Sequence, residues 1–194
     1  MHRLFVAVLP PSEVLDRLAA LARPSIDGVR WTDRDQWHVT LRFLGALADA
    51  APVHAALSAL NAPAGPVAAI IGPAVSRFGQ RILHLPVAGL DAIAADVVAA
   101  TADLGRPPDD RPFKGHVTLA RTAKHAAVDL RPLTGTPIAA RWHVRSVSLM
   151  ESRLSSRGAR YHVLEEFPVT QRPRPAGDEG GPAPPPDGGR CRTS

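Results

Sequence analysis

The 194-residue sequence predicts an α+β fold of two pseudo-symmetric lobes, each mostly antiparallel sheet, with helices outside and a central cleft. Two observations lead there. In the first part of each half a short apolar run is followed by a helical pattern, and later β runs pair as hairpins, which is the habit of α+β folds. The sequence also repeats itself at an offset of 78 residues, which lays Leu4 on Ile82, the first helical pattern on Asp91 to Ala100, and the string His38-Val39-Thr40-Leu41 on His116-Val117-Thr118-Leu119, with no gap.

Each element has its own signal. Arg3 to Leu9 is an apolar run of strand length, and Pro10, Pro11 and Ser12 stop it and open a helix with Val14, Leu15, Leu18, Ala19 and Leu21 on one face. A turn-rich stretch with Pro24 and Gly28 follows. Trp37 to Leu44, rich in β-branched and aromatic residues, reads as a strand closed by Gly45. Residues 49 to 61 read as helix. Val67 to Val75 and Arg81 to Val87 read as a hairpin joined through Phe78, Gly79 and Gln80. Asp91 to Leu104 is a helix ended by Gly105 and two prolines, and Gly115 to Arg121 is a strand. Arg141 to Ser152 and Tyr161 to Val169 form a second hairpin around Ser155 to Gly158.

The 45% hydrophobic content suffices for one packed domain, placed at residues 1–170. The last 24 residues hold eleven of the 35 prolines and glycines and no aliphatic or aromatic core former, so a disordered tail is expected over 171–194. The net charge of +5 suits an anionic ligand held locally and falls short of the stripe a nonspecific duplex binder carries. The single cysteine, Cys191, lies in that tail, so no disulfide framework, zinc cluster or thiol nucleophile is expected in the fold. The first apolar run is too short for a signal sequence and no stretch is long enough to span a bilayer, so a cytoplasmic protein with no membrane partner is expected.

The chemistry lies in the repeated His-x-Thr. Side chains alternate along a strand, so His38 and Thr40 share one face while Val39 and Leu41 point to a core, and His116 and Thr118 do the same. Two lobes facing one another would bring two imidazoles and two hydroxyls to one cleft. An imidazole titrates near pH 6.5, so a pair can supply a neutral base and a charged acid, as displacement at phosphorus requires. The hydroxyls can donate to nonbridging phosphate oxygens, and Arg42 and Arg121 are the near candidates to meet charge building there. A lone His-x-Thr would be an ordinary strand string, but a core has no reason to put a titratable ring at matched positions. His2, His54, His84, His125, His143 and His162 have no repeated partner and read as surface or structural. Trp31, Trp37 and Trp142 read as packing.

These residues resemble the two-histidine phosphoesterase superfamily, and within it the bacterial RNA 2′,3′-cyclic phosphodiesterases historically called 2′-5′ RNA ligases. The resemblance rests on RLFVAVLPP at the start, WHVTLRFLG at 37–45, RPFKGHVTLAR at 111–121, and SLMESRL with Gly158, Tyr161 and EFPV near the end, covering about residues 1–169. It implies metal-free hydrolysis, with no cofactor, of RNA ends or small cyclic nucleotides carrying a 2′,3′-cyclic phosphate, giving a 2′-phosphomonoester. It also implies His38 as proton donor, His116 as proton acceptor, Thr40 and Thr118 on the phosphate, Arg121 on its charge and Phe43 stacking a base. A monomer is expected. Gly115 departs from the proline the family often has there, which would loosen the start of the strand. Phe43 and Arg121 lie five residues after their histidines and on a regular strand would face away from the cleft, so they serve only if the strand bulges or ends first. The alternatives are joining of RNA ends through a 2′-5′ bond, or an RNA-end-binding module without turnover.

Overall fold

The structure is a computed structural model, and it describes residues 1–60, 66–123, 128–155 and 158–169. The expected tail at 171–194, Cys191, His125 and the tip of the last hairpin at 156–157 lie outside the described residues. Among the described residues the strands are β1 His2–Val8, β2 Val29–Trp31, β3 Val39–Leu47, β4 Ala68–Ile71, β5 Ser76–Phe78, β6 Ile82–Ala88, β7 His116–Thr122, β8 Ala140–His143, β9 Ser146–Ser155 and β10 Gly158–Pro168. The helices are α1 Ser12–Ala19, α2 Ala51–Ser58 and α3 Asp91–Ala100.

Every strand pairing is antiparallel. The sheet runs β10-β9-β1-β3-β7-β6-β4-β8, with β2 on β7 and β5 on β6. That path divides into two runs of four strands, β10-β9-β1-β3 and β7-β6-β4-β8, with β2 and β5 added to the second, and the ladder between β3 and β7 is one pair, Val39 opposite Val117. Those valines are the middle letters of the two His-x-Thr strings. The lobes therefore meet at the motif.

Several elements differ from the sequence reading. The stretch between Pro24 and Trp37 contains β2, which lies on the far lobe's β7, and a 3-10 turn at Arg34–Gln36. The run expected at 67–75 ends as strand at Ile71, before Gly72–Pro73, and β5 forms beyond it at Ser76–Phe78, within the expected connection; both β4 and β5 pair with β6. Proline has no N–H to carry a ladder onward. The run at 141–152 also breaks, because β8 pairs with β4 in one lobe while β9 pairs with β1 in the other. At the break, Val144 N–H donates to Val67 and Val169 N–H to Arg145. Strand β3 passes through Gly45 to Leu47, and α2 is shorter than expected.

The helices cross between lobes. α1 follows β1 and buries Val14 and Leu18, yet it packs against β8; α3 follows β6 and buries Ile93, Ala94 and Val97, yet it packs against β3. One apolar core thus runs under both halves, from Leu4, Val6 and Val39 to Leu83, Leu85 and Val117. Among the described residues, no helix is long and apolar enough to cross a membrane.

Candidate active site

β3 and β7 each carry a bulge at the same place in the repeat. Ala7 faces Thr40 and Val6 faces Arg42, so Leu41 is an extra residue on β3; His84 faces Thr118 and Leu83 faces Ala120, so Leu119 is an extra residue on β7. The burial agrees with this, since Leu41 and Arg42 are consecutive buried residues, as are Leu119 and Ala120. One extra residue reverses the alternation beyond it. Phe43 and Arg121 accordingly return to the histidine face, and both line the cleft with His38, Thr40, His116 and Thr118. The six site residues expected from sequence come together there.

The carbonyls that the β7 bulge frees are taken by Thr32. Its hydroxyl lies 2.8 Å from the Thr118 carbonyl and 2.9 Å from that of Leu119, and its N–H donates to Leu119 at 2.8 Å. Trp37 Nε1 donates to that hydroxyl at 2.9 Å. Trp37 and Trp142 are buried, in keeping with packing roles.

Each motif histidine is oriented the same way. His38 Nδ1 is 2.7 Å from the Gln36 carbonyl and His116 Nδ1 is 2.7 Å from the Lys114 carbonyl, positions that match at the repeat offset. A carbonyl can only accept, so Nδ1 carries the hydrogen in both rings and Nε2 is left for the cleft. The ring neighbours differ. His38 touches Phe5 (centroids 4.9 Å apart) and Tyr161 (4.8 Å), whereas His116 meets Phe78 (4.9 Å) and His84 (5.6 Å) edge-on. Burial among these groups pushes His38 down from 6.5 to about 4, against the pull of its Gln36 bond, and the charges of His116 and Arg121 push the same way.

Arg42 is not at the site. It points to the opposite face, is 4% exposed, and donates through one terminal nitrogen to the carbonyls of Thr101, Leu104 and Arg106 beyond the end of α3. Gly115 is also other than expected. Its carbonyl accepts from Val87 N–H at 2.8 Å, and a Cβ at this position would stand 2.4 Å from the Val87 oxygen. The strand start is pinned by close backbone approach, and glycine permits it.

Several cleft residues escaped the sequence reading as site members: Arg3, Phe5, Thr32, Gln36, Ser152 and Tyr161. The alternation Arg3, Phe5, Ala7 along β1 marks one face, but a mostly apolar run hides it. Gln36 Nε2 reaches the Ala159 carbonyl at 2.6 Å and so ties the motif to β10 beside Tyr161. His2, His54, His143 and His162 do not line the cleft. His84 is a different case, because it is 4% exposed, stacks on Phe78 at 3.7 Å and backs His116. It faces Thr118 as Ala7 faces Thr40, so β6 is one residue out of the gapless offset seen in the sequence.

His84 Nδ1 is buried with no partner, and burial, with the charge of His116, holds the ring down from 6.5 to about 4. The unfolded chain then takes up a proton between pH 6.5 and 4 that the native state refuses, so this contribution to stability is whole above about pH 6.5 and lost as pH falls. At pH 5 the loss is about 2 kcal/mol. His84→Phe keeps a flat ring and cannot be protonated. Its fall in Tm between pH 7.5 and pH 5 is expected to be smaller than the wild type's by roughly 4–8 °C, read by calorimetry at both pH values; an equal fall would show that His84 is protonated as readily in the native state.

An antiparallel α+β sheet with two carbonyl-locked imidazoles, two threonines and an arginine in one cleft defines a phosphoester-handling protein. Residues 7–155 match the 2′-5′ RNA ligase superfamily, and the chain belongs to that family, the two-histidine phosphoesterases. A curated relative from Geobacillus stearothermophilus, named RNA 2′,3′-cyclic phosphodiesterase, is 29% identical over 182 residues, 87% of this chain and 58% of its own length. The chain thus spans less than two thirds of that relative. A crystal structure from Thermus thermophilus superposes with a TM-score of 0.71 at 28% identity, covering 87% of this chain and 98% of that one. LigT of E. coli, crystallised with 3′-AMP, shares the fold with a TM-score of 0.65 at 22% identity over 88% and 99% of the two chains.

Proposed function

We propose that the protein hydrolyses RNA 2′,3′-cyclic phosphate ends to 2′-phosphomonoesters by acid–base catalysis between His38 and His116. The observation that carries this reading is the matched pair of Nδ1–carbonyl bonds, which offers two Nε2 atoms to one cleft. Water attacks phosphorus in line; its oxygen forms the new P–O bond as His116 takes its proton. The bond from phosphorus to the ribose 3′ oxygen breaks as His38 supplies a proton to that oxygen. Thr40 and Thr118 donate to the nonbridging oxygens, Arg121 balances their charge, and Phe43 offers a face to the base. Burial holds His38 neutral, and the phosphodiester anion raises its affinity for the proton it must give.

That same depressed affinity favours a second reading in which the roles are exchanged and His38 is the base. Both readings hydrolyse the ring. An oligonucleotide ending in a 2′,3′-cyclic phosphate, incubated with the protein and weighed by mass spectrometry, is expected to gain one water. A joined product would indicate ligation, and an unchanged mass with retained binding would indicate a module without turnover. Turnover is expected to survive exhaustive EDTA treatment, since among the described residues no carboxylate or cysteine lines the cleft and no three or more metal-ligating side chains cluster. Loss on chelation with recovery on one divalent ion would overturn the metal-free mechanism.

A further inference from the structure

Beyond the groups assigned to the reacting phosphate, the cleft holds a second cation. Arg3 lies on the cleft face of β1, two residues from Phe5, with its guanidinium carbon 5.3 Å from the centre of the Phe43 ring. It is exposed and makes no ion pair among the described residues. Elsewhere Arg34, Arg111, Arg131 and Arg153 are each paired with a carboxylate. Among the described residues no carboxylate lines the cleft. A cation–π contact at an exposed site contributes about 0.5–1 kcal/mol and leaves the guanidinium's edge donors free.

The order of groups along the first lobe is informative. His38 and Thr40 lie at the joint, Phe43 faces Phe5 further out, and Arg3, paired with Ala46, lies beyond Phe43. Two residues of strand separate Phe5 from Arg3, about 7 Å, on the order of one nucleotide. In a nucleoside 2′,3′-cyclic phosphate the base and the 5′ carbon both extend from the ribose away from the cyclic phosphate. A ligand with its phosphate between the histidines and its base on Phe43 therefore sends its 5′ substituent toward the same outer wall. A fork of N–H donors there fits a second phosphate.

We propose that Arg3 is a specificity-determining residue that binds the 5′-phosphoryl group of the terminal nucleotide, so that the preferred substrates are those carrying a phosphate on both sides of the ribose. This rests on the hydrolase reading above. The phosphate could be an internucleotide linkage at an RNA end or the monoester of a free nucleotide, and the substrates separate these.

The experiment compares adenosine 2′,3′-cyclic phosphate, its 5′-phosphorylated form, and an adenylyl dinucleotide ending in the cyclic phosphate, on wild type and Arg3→Gln, with melting temperature as the folding control. Wild type is expected to favour both 5′-phosphoryl substrates in kcat/KM by roughly tenfold or more. Arg3→Gln should collapse that ratio toward one, chiefly through KM. A preference for the dinucleotide alone would assign the subsite to chain ends. No preference in wild type, or a preference that persists in Arg3→Gln, would overturn the proposal. Should wild type hydrolyse none of the three, the hydrolase reading fails separately, and calorimetric binding of adenosine 2′,5′-bisphosphate against 2′-AMP still decides Arg3: an Arg3-dependent preference for the bisphosphate supports the subsite and equal affinities refute it.

Discussion

His38→Ala and His116→Ala are each expected to lower turnover of an RNA 2′,3′-cyclic phosphate by roughly 10²- to 10⁴-fold, the usual worth of a positioned acid or base. The fold should survive either change, because both rings face the cleft and each contributes one side-chain bond to a backbone carbonyl. The leaving group separates the two roles. A ribose oxygen departs badly without a proton, whereas nitrophenolate, whose conjugate acid has a pKa of about 7, needs little help. With His38 as acid, His38→Ala should recover much of its lost rate on a nitrophenyl phosphodiester, and His116→Ala should stay crippled because water still lacks its base. The pH profile of kcat should follow: bell-shaped in wild type, without its alkaline limb in His38→Ala. Rescue of His116→Ala instead would exchange the roles, the assignment that the depressed proton affinity of His38 favours. Rescue of neither would mean that the rings hold phosphate and transfer no proton.

Arg42→Met is expected to cost about 3 kcal/mol of stability, from the loss of three charge-assisted hydrogen bonds to carbonyls, of which that of Thr101 keeps a second donor, Leu104 N–H. The guanidinium meets carbonyls at and just beyond the C-terminal end of α3, where the helix dipole is negative. Because α3 belongs by sequence to the second half and packs against β3 of the first, this contact binds the halves together. Tm should fall by about 6–12 °C at a chain of this size. Turnover measured well below that Tm should change far less than in either histidine variant. A fall of less than about 2 °C, a shift worth under 1 kcal/mol, would show that water replaces the guanidinium at no cost.

The motif itself was legible in one dimension. Strand alternation alone sets His38 with Thr40 against Val39 and Leu41, and the exact repeat of that string brings a second copy, because local backbone geometry decides which way a short strand's side chains point. The apolar runs of β1, β6 and α3 were legible for the same reason, as each buries its own face. The reversal of alternation at Leu41 and Leu119 was not, since a bulge depends on what the neighbouring strand offers, here Ala7 and Val6 on one side and His84 and Leu83 on the other. Those bulges decide that Phe43 and Arg121 enter the cleft while Arg42, one residue away from Phe43, turns to the core. Nor does any local signal divide 140–155 between two lobes or send α1 and α3 beneath the lobe opposite their own strands. Sequence by itself determined the chemical groups and their pairing in two copies. Tertiary structure decided which arginine meets the ligand and which caps a helix, because burial and hydrogen-bond partners come from strands and helices far away in the chain.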